Sequence, residues 1–584
     1  MSTSGGSLRL GGPAADRATT LAVVGAAVVA AVVLAALAPA YAAWLLIAAA
    51  LLACALLAPV AGLALLPWAA AFGADFTISL HGLNMTPLDV LVAGLVLSAL
   101  RPLWHAHGTL AQGGPRAWFA LARRELGTAW RRRRGAVVLF AGLAAYLGVV
   151  ALSLTVATDR VSTIKEIIKW SEVLAVVAAG AALLRQPGQV RVVAWAMIGA
   201  GLAEALIGYV QWAMSANAAQ LAEGGRVFGT FGQPNPYAGY LNLSLPLALA
   251  LVFFGRDARE RWLAAGAAVL LLGAEALSAS RGGLIGLVAA LVVIAAVGLR
   301  RERIAAVLVA AGALVAALAL FTTLIPARLT HLVLHPLRLD NVSPNAAVTS
   351  ANFSTMQRLA YWIAGLRMFA AHPILGIGAG NYNAAYARYA TNLADWPEPL
   401  GHAHNYYINA AAETGLLGLA AFVVFAAGLL LVAWRATHPA AEEGRGTRRA
   451  RRRRGGRGGG ETGNAKNARR TRGTRRSEQR ATAEDAESAG SAGSAGSAGG
   501  AQRLTVGKRA SQEQARVAPG VAMAGARASR VPARALAIGL FAVVVALLAH
   551  NLTDDLFVHG MDVEFALIAA CLLSLAYRPA RAGS

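Results

Sequence analysis

The sequence predicts an all-α integral membrane protein of about 12–14 transmembrane helices with a large extracytoplasmic loop. Three observations carry this. Of 584 residues, 57% are hydrophobic and only 14% are charged, against about 25% charged in a soluble domain. The apolar residues fall in uninterrupted runs of about 18 or more, the length that a rise of ~1.5 Å per residue needs to cross a ~30 Å hydrocarbon core. The arginines and lysines between those runs collect in alternating loops, as they do when basic residues are retained on the cytoplasmic side. A formal charge of +24 in so apolar a chain excludes an ordinary nucleic-acid-binding globule. Cys54 and Cys571 each lie inside an apolar run, so neither a disulfide framework nor a thiolate metal site follows from them.

In order, the runs lie near 20–38, 41–58, 60–74, 88–104, 135–156, 166–184, 191–213, 236–254, 261–278, 283–299, 303–325, 405–434, 533–553 and 562–578. The boundary between the second and third rests only on Pro59 and Gly62, so the number of spans in 20–75 stays open. The first run reads as an uncleaved helix and not a signal peptide, because its apolar segment exceeds the usual ~7–15 residues and many more runs follow. Arg101, Arg116, Arg123, Arg124 and Arg131 to Arg134 place the 105–134 connection inside. Arg185 and Arg191, then Arg256, Arg259 and Arg261, then Arg300, Arg301 and Arg303 do the same for three later loops. Even numbers of spans separate these loops, so the assignments agree. The resulting division is a cytoplasmic tail 1–19, a transmembrane bundle 20–325, a large extracytoplasmic loop 326–404, a transmembrane helix 405–434, a basic cytoplasmic segment 435–532, two transmembrane helices within 533–578 and a cytoplasmic tail 579–584.

The segment 435–532 differs in kind. Arg451 to Arg454, an Arg-Gly-Gly-Arg-Gly-Gly-Gly run and a Ser-Ala-Gly repeat lie within it, and it has no aromatic residue, so it is expected to be disordered. Between 435 and 534 stand 23 Lys and Arg against 8 Asp and Glu, a net of +15. Anionic lipid headgroups are a candidate partner. RNA is disfavoured for want of aromatic stacking residues, and a solvated linker whose charge fixes topology is the favoured reading.

Four stretches on the outer face carry chemistry. Arg226-Val-Phe-Gly-Thr-Phe-Gly-Gln-Pro-Asn-Pro-Tyr-Ala-Gly-Tyr240 forms a Gly- and Pro-rich entry to a span; its Arg226 faces either a phosphate or merely a turn, and Asn235 offers an amide to a sugar or to backbone. Ser278-Ala-Ser-Arg-Gly-Gly283 sets Arg281 at the membrane surface, where a guanidinium can hold phosphate oxygens bidentately or simply snorkel. Glu275, inside the preceding span, is a candidate partner for an outer arginine. Gln357-Arg358-Leu-Ala-Tyr-Trp362 opens an amphipathic helix with Leu359, Trp362, Ile363, Leu366 and Phe369 at helical spacing. It leads into His372-Pro-Ile-Leu-Gly-Ile-Gly-Ala-Gly-Asn-Tyr382, whose Gly-x-Gly-x-Gly is no dinucleotide signal because no strand precedes it. Finally, Gly401-His-Ala-His-Asn-Tyr-Tyr407 runs toward Glu413. His402 and His404, two apart with no carboxylate or third histidine close in sequence, make a poor metal pattern. A single neutral histidine as general base fits better, with Glu413 either orienting it or pairing with an arginine.

In the order and spacing of these pieces the chain resembles the O-antigen ligase and O-antigen polymerase family of bacterial cell envelopes. The resemblance covers about 226–435: Arg226 to Tyr240, Ser280-Arg281-Gly282-Gly283, Arg358 with Trp362, His372-Pro373 with Gly376, Gly378 and Gly380, and His404-Asn405 with Glu413, Gly415 and Gly418. The basic insertion departs from the family pattern. The resemblance implies a multi-span, membrane glycosyltransferase-like fold of the GT-C type in the bacterial inner membrane, with both termini cytoplasmic and the active site extracytoplasmic. It implies transfer of a glycan from an undecaprenyl-diphosphate-linked donor to an acceptor hydroxyl on lipid, glycan or protein, without metal or other cofactor. Arg226, Arg281 and Arg358 would then bind the donor diphosphate. His404, as base, and Arg281 would be the catalytic residues, supported by Asn235, Glu275, His402, Asn405 and Glu413. Ligase, polymerase and protein glycosyltransferase share this donor chemistry. A multi-span transporter is the rival from another class, disfavoured by the absence of paired internal repeats.

Overall fold

The computed structural model describes residues 39–73, 76–80, 83–110, 133–215, 225–299, 353–390, 401–438 and 531–577. Every predicted run that falls there is helical; those at 20–38 and 303–325, and the basic segment 439–530, lie outside the described residues. The helices are α1 (Pro39–Leu57), α2 (Pro59–Phe72), α3 (Pro87–Leu110), α4 (Arg134–Leu152), α5 (Arg160–Leu183), α6 (Pro187–Met214), α7 (Pro234–Phe254), α8 (Ala258–Ser278) and α9 (Arg281–Val293). They continue as α10 (Phe353–Ala371), α11 (Tyr382–Tyr389), α12 (Tyr406–Thr437), α13 (Val531–His550) and α14 (Met561–Ala576). Among the described residues, 7 helical segments are long and apolar enough to cross a membrane. A two-stranded antiparallel ribbon, β1 (Ile78–Leu80) with β2 (Leu83–Met85), is a small departure from the all-α expectation.

Local chemistry sets the helix ends. Prolines open α2, α6 and α7 at positions where the missing N–H is no loss. Asp159 caps α5 by accepting from Val161 N at 3.0 Å, Asp257 caps α8 from Glu260 N at 2.9 Å, and Ser280 caps α9 from Gly283 N at 3.2 Å. Lipid offers no hydrophobic drive for helix to meet helix, so close approach of small residues has to supply the contact. The most extensive packing, α12 on α4, obeys this: Gly142 lies against the Phe425 backbone and Gly428 against the Leu139 backbone, with no room for a Cβ at either.

Toward one end of the bundle, α4, α5, α12 and the α13–α14 turn meet in an aromatic cluster. Tyr146 packs edge-on to Trp170 at 4.7 Å, Tyr406 to Phe557 at 4.6 Å, and the Tyr146 and Tyr406 hydroxyls bond at 2.9 Å. The cluster forms a floor beneath the turn that carries His402 and His404.

The expected continuous span at 405–434 is in fact broken. Gly415 takes φ 64° and ψ −164° inside α12, which frees the backbone of the adjacent turns. The Pro373–Asn381 loop takes up the freed groups: Ile377 N donates to Ala412 O at 3.0 Å and Gly378 N to Glu413 O at 3.0 Å, while Leu416 N donates to Pro373 O at 2.8 Å. The Gly-x-Gly-x-Gly is therefore a backbone splint for a broken helix, the arrangement that lets irregular chain exist at membrane depth. On α10, Met356, Ala360, Tyr361, Ala364 and Met368 pack inside the protein, while Leu366 of the expected apolar stripe is 52% exposed on the protein's outside.

Candidate active site

Four segments distant in sequence converge at the end of the bundle that the arginine count assigns to the outside. The first is the Arg226 loop. Arg226 donates Nε to Ser278 O at 2.8 Å and Nη2 to Asn235 Oδ1 at 3.0 Å, and Ser280 Oγ donates to the same Asn235 oxygen at 3.0 Å. Arg226 and Asn235 thus clamp the α8–α9 turn, where Ala279 adopts φ 48° to let α9 start immediately. The turn delivers Arg281 to the first position of α9. Glu275 meets Asn242 Nδ2 at 3.3 Å, and no ion pair to an arginine is found for it among the described residues. Its carboxylate fills the space that a Cβ on Gly283 would need.

The second is α10, which brings Arg358 across to donate Nε to Thr553 O at 3.0 Å. Arg358 stands close enough to Arg281 for the two positive charges to act on each other. The third is the turn before α12. His404 takes φ 48°, a left-handed conformation costly for a residue with a Cβ. That twist aims its ring at the fourth segment, the turn between α13 and α14. There Nδ1 of His404 meets Asp554 Oδ1 at 3.0 Å, and Nε2, also buried, has no partner among the described residues. Tyr361 stacks on the imidazole at 5.7 Å, His402 approaches it edge-on at 4.4 Å, and Trp362 Nε1 donates to the His404 carbonyl at 3.4 Å.

The flanking contacts hold this geometry. Asn405 Oδ1 accepts from Tyr407 N at 3.0 Å and Ile408 N at 3.1 Å, capping α12, and its Nδ2 donates to Leu552 O at 2.8 Å. Tyr406 N reaches Asn551 O at 3.0 Å and Asp554 O at 3.1 Å. The histidine turn and the carboxylate turn are thereby fastened as one unit.

Electrostatics sharpen the roles. Burial opposes ionisation of Asp554, but the hydrogen bond from His404 and the nearby Arg358 charge help to hold its carboxyl well below the usual range. Asp554 is an anion. Its neighbour Asp555 goes the other way: burial raises its pKa. Burial and the neighbouring His404 lower the pKa of His402.

Sequence reasoning misses Asp554, and the orienting role it offers to Glu413 belongs to this aspartate. Glu413 instead accepts from Tyr382 N at 3.0 Å, satisfying the start of α11. The signal that could have found Asp554 is Asn-Leu-Thr-Asp-Asp555, two acids directly after an apolar run. The His-x-His is a poor metal pattern for want of a carboxylate near it in sequence, yet the fold supplies one from 150 residues away. His402, His404 and Asp554 each offer a ligand atom, all within 4.8 Å of one another, so a cation fits by distance. His404 Nδ1 is bonded to Asp554 and His402 Nδ1 accepts His404 N–H at 3.2 Å, while His404 Nε2 and Asp554 Oδ2 have no partner among the described residues. His372 lies apart, bonded to Tyr389 at 3.1 Å.

A multi-span helical bundle that closes over a histidine–carboxylate pair and an arginine cluster at one end is membrane glycosyltransferase-like in class. Residues 238–423, from early α7 into α12, match the family described as O-antigen ligase. The match covers about a third of the chain and supports a membrane-embedded glycan-transferring role in polysaccharide biosynthesis. No curated protein matches the chain.

Proposed function

We propose that the protein transfers a glycan from an undecaprenyl-diphosphate-linked donor to an acceptor hydroxyl on the extracytoplasmic face of the bacterial inner membrane, without a metal. The observation that carries this reading is the His404–Asp554 pair with Nε2 left open, its Asp554 within the field of Arg358, which in turn acts on Arg281. An ionised Asp554 accepts from Nδ1–H and so fixes the tautomer in which Nε2 holds the lone pair. Nε2 takes the proton of the acceptor hydroxyl as its oxygen attacks the anomeric carbon, and the carboxylate stabilises the imidazolium that forms.

On the opposite side of that carbon the glycosidic C–O bond breaks and its electron pair passes to the diphosphate. Charge that develops there meets two guanidinium groups already in place, so little reorganisation is needed at the moment of reaction. Attack opposite the leaving group inverts the anomeric centre. Arg226 and Asn235 serve the same step indirectly, by holding the turn that presents Arg281. Asn405 and His402 hold the turn that presents His404.

The test is transfer by purified protein from an undecaprenyl-diphosphate glycan to a panel of lipid, glycan and protein acceptors, with the product anomer assigned by NMR. Transfer to one acceptor class with inversion is expected. Wild-type turnover by His404→Ala, or retention at the anomeric carbon, sinks the reading.

A further inference from the structure

His550, the last residue of α13, is fully buried, and neither of its ring nitrogens has a hydrogen-bond partner among the described residues. A buried imidazole carries at least one N–H, and a donor sealed from water without an acceptor forfeits its solvation for nothing. Near it, Asn551 Nδ2, Asp554 Oδ2 and His404 Nε2 are also buried without partners among the described residues, so the ring belongs to a cluster of open polar atoms. An unpaired ring in that company marks a place that a ligand completes.

Its surroundings identify the ligand's chemistry. The ring lies against Gly282, next to Arg281, in space that a Cβ at 282 would occupy, with Thr553 Oγ1 only 2.6 Å from that position. This gives Gly282 of the Ser-Arg-Gly-Gly turn a reason to be glycine. The charges that act on His550 are those of Asp554, the partner of His404, and of Arg358. It therefore sits where the histidine–carboxylate pair and the arginines meet. Two like-charged guanidinium groups brought near one another are matched by an anion between them, and a neutral imidazole there adds a directional N–H without a third positive charge.

We propose that His550 is a third donor to the lipid diphosphate, its imidazole N–H meeting a phosphate oxygen held between Arg281 and Arg358. This rests on the transferase reading of the site. The experiment measures binding of undecaprenyl diphosphate to the full-length purified protein, with turnover of the lipid-linked glycan followed in parallel, for wild type, His550→Phe and His550→Gln. His550→Phe keeps the ring's volume without its N–H, and is expected to weaken binding about ten- to a hundredfold, the size of a hydrogen bond to a charged group. The donor KM should rise with a smaller change in kcat. His550→Gln, which retains an N–H, should recover part of the loss, and the melting temperature of His550→Phe should stay that of wild type. Unchanged binding in His550→Phe overturns the proposal. So does equal weakness of both variants with a lowered melting temperature, which is the mark of a packing role, and so does a wild type that fails to bind undecaprenyl diphosphate. A wild type that binds it, loses binding in His550→Phe, yet transfers to no acceptor leaves His550 as a diphosphate ligand and removes the transferase reading instead.

Discussion

The clamp around Asn235 and the corner around His404 lie at the same end of one helical bundle, and their polar atoms are in opposite conditions. In the clamp, the Asn235 carbonyl takes both Arg226 and Ser280, and the Ser280 hydroxyl serves the α9 N-terminus. At the corner, His404 Nε2, Asp554 Oδ2, Asn551 Nδ2 and both nitrogens of His550 are buried without partners among the described residues. A satisfied network rigidifies what it holds, whereas an unsatisfied one is costly until something arrives to complete it. The comparison separates scaffold from chemistry where residue type alone does not, since both regions are built from the same arginines, amides and hydroxyls.

The largest effects are expected at the corner. His404→Ala removes the base of the proposed reaction, and Asp554→Asn would leave the ring with the wrong tautomer for it. Each should lower kcat by about 10²–10⁴ while membrane insertion and helix content stay unchanged. If Asp554→Asn turns over normally, the pair is structural and the contrast between clamp and corner collapses.

Next come the arginines. Removing one preorganised electrostatic donor costs about 10²–10³ in kcat, so Arg281→Ala and Arg358→Ala should fall in that range. Arg226→Ala acts only through the turn it clamps and should cost less than either. An Arg226→Ala loss as deep as that of Arg281→Ala would show that the clamp is itself part of the diphosphate site.

What is legible in the sequence divides along the same line. The spans are, because a run of apolar residues answers to the bilayer alone. Arg226, Arg281 and Arg358 are, because they stand in or beside the few polar stretches between the runs. His404 stands out as a titratable residue in a polar loop just before a run. Asp554 does not: its partnership with His404 bridges 150 positions and is created by α12 packing beside α13, a contact written in no local pattern. Arg226 and Glu413 are legible as polar anomalies, but their partners, Asn235 with Ser278 and the start of α11, emerge only from the fold. The glycines at 376, 378 and 415 read as loop punctuation and prove to be one device, a helix break and its splint.

That device gives the next prediction. Gly415→Ala forces a residue with a Cβ into φ 64° against the Ile374 backbone. Strain of this kind costs about 1–3 kcal/mol, so the melting temperature in detergent should drop, and transfer should fall as the His404 turn loosens.

A smaller effect concerns pH. Burial and His404 hold His402 below the ordinary histidine pKa of 6.5, so the folded protein prefers it neutral. Its contribution is complete above 6.5 and is lost as pH falls from there through the lower folded-state value, because the unfolded chain then binds the proton more readily. Melting temperature should decline over that window, and His402→Gln should flatten the decline. An unchanged slope in that variant would assign the pH dependence to another group.

The smallest expected effect is none. Of the +24 formal charge, +15 falls between 435 and 534. All of the site lies in the compact unit that excludes His438–Arg530: Arg226, Arg281, Arg358, His404 and Asp554 precede or follow the insertion. The Asn551–Asp554 turn is fastened to the α12 start through Tyr406 and Asn405, so the pairing of His404 with Asp554 depends on α12 and α13 packing and not on the length or charge of what joins them. Deleting 445–530 leaves about seven residues between Thr437 and Val531, each spanning at most ~3.3–3.6 Å. The deletion variant is expected to insert correctly and to transfer glycan at the wild-type rate on neutral and anionic lipid alike. A correctly inserted deletion that has lost transfer would move the basic segment into the catalytic unit, and a loss confined to anionic membranes would give its arginines a headgroup-binding role.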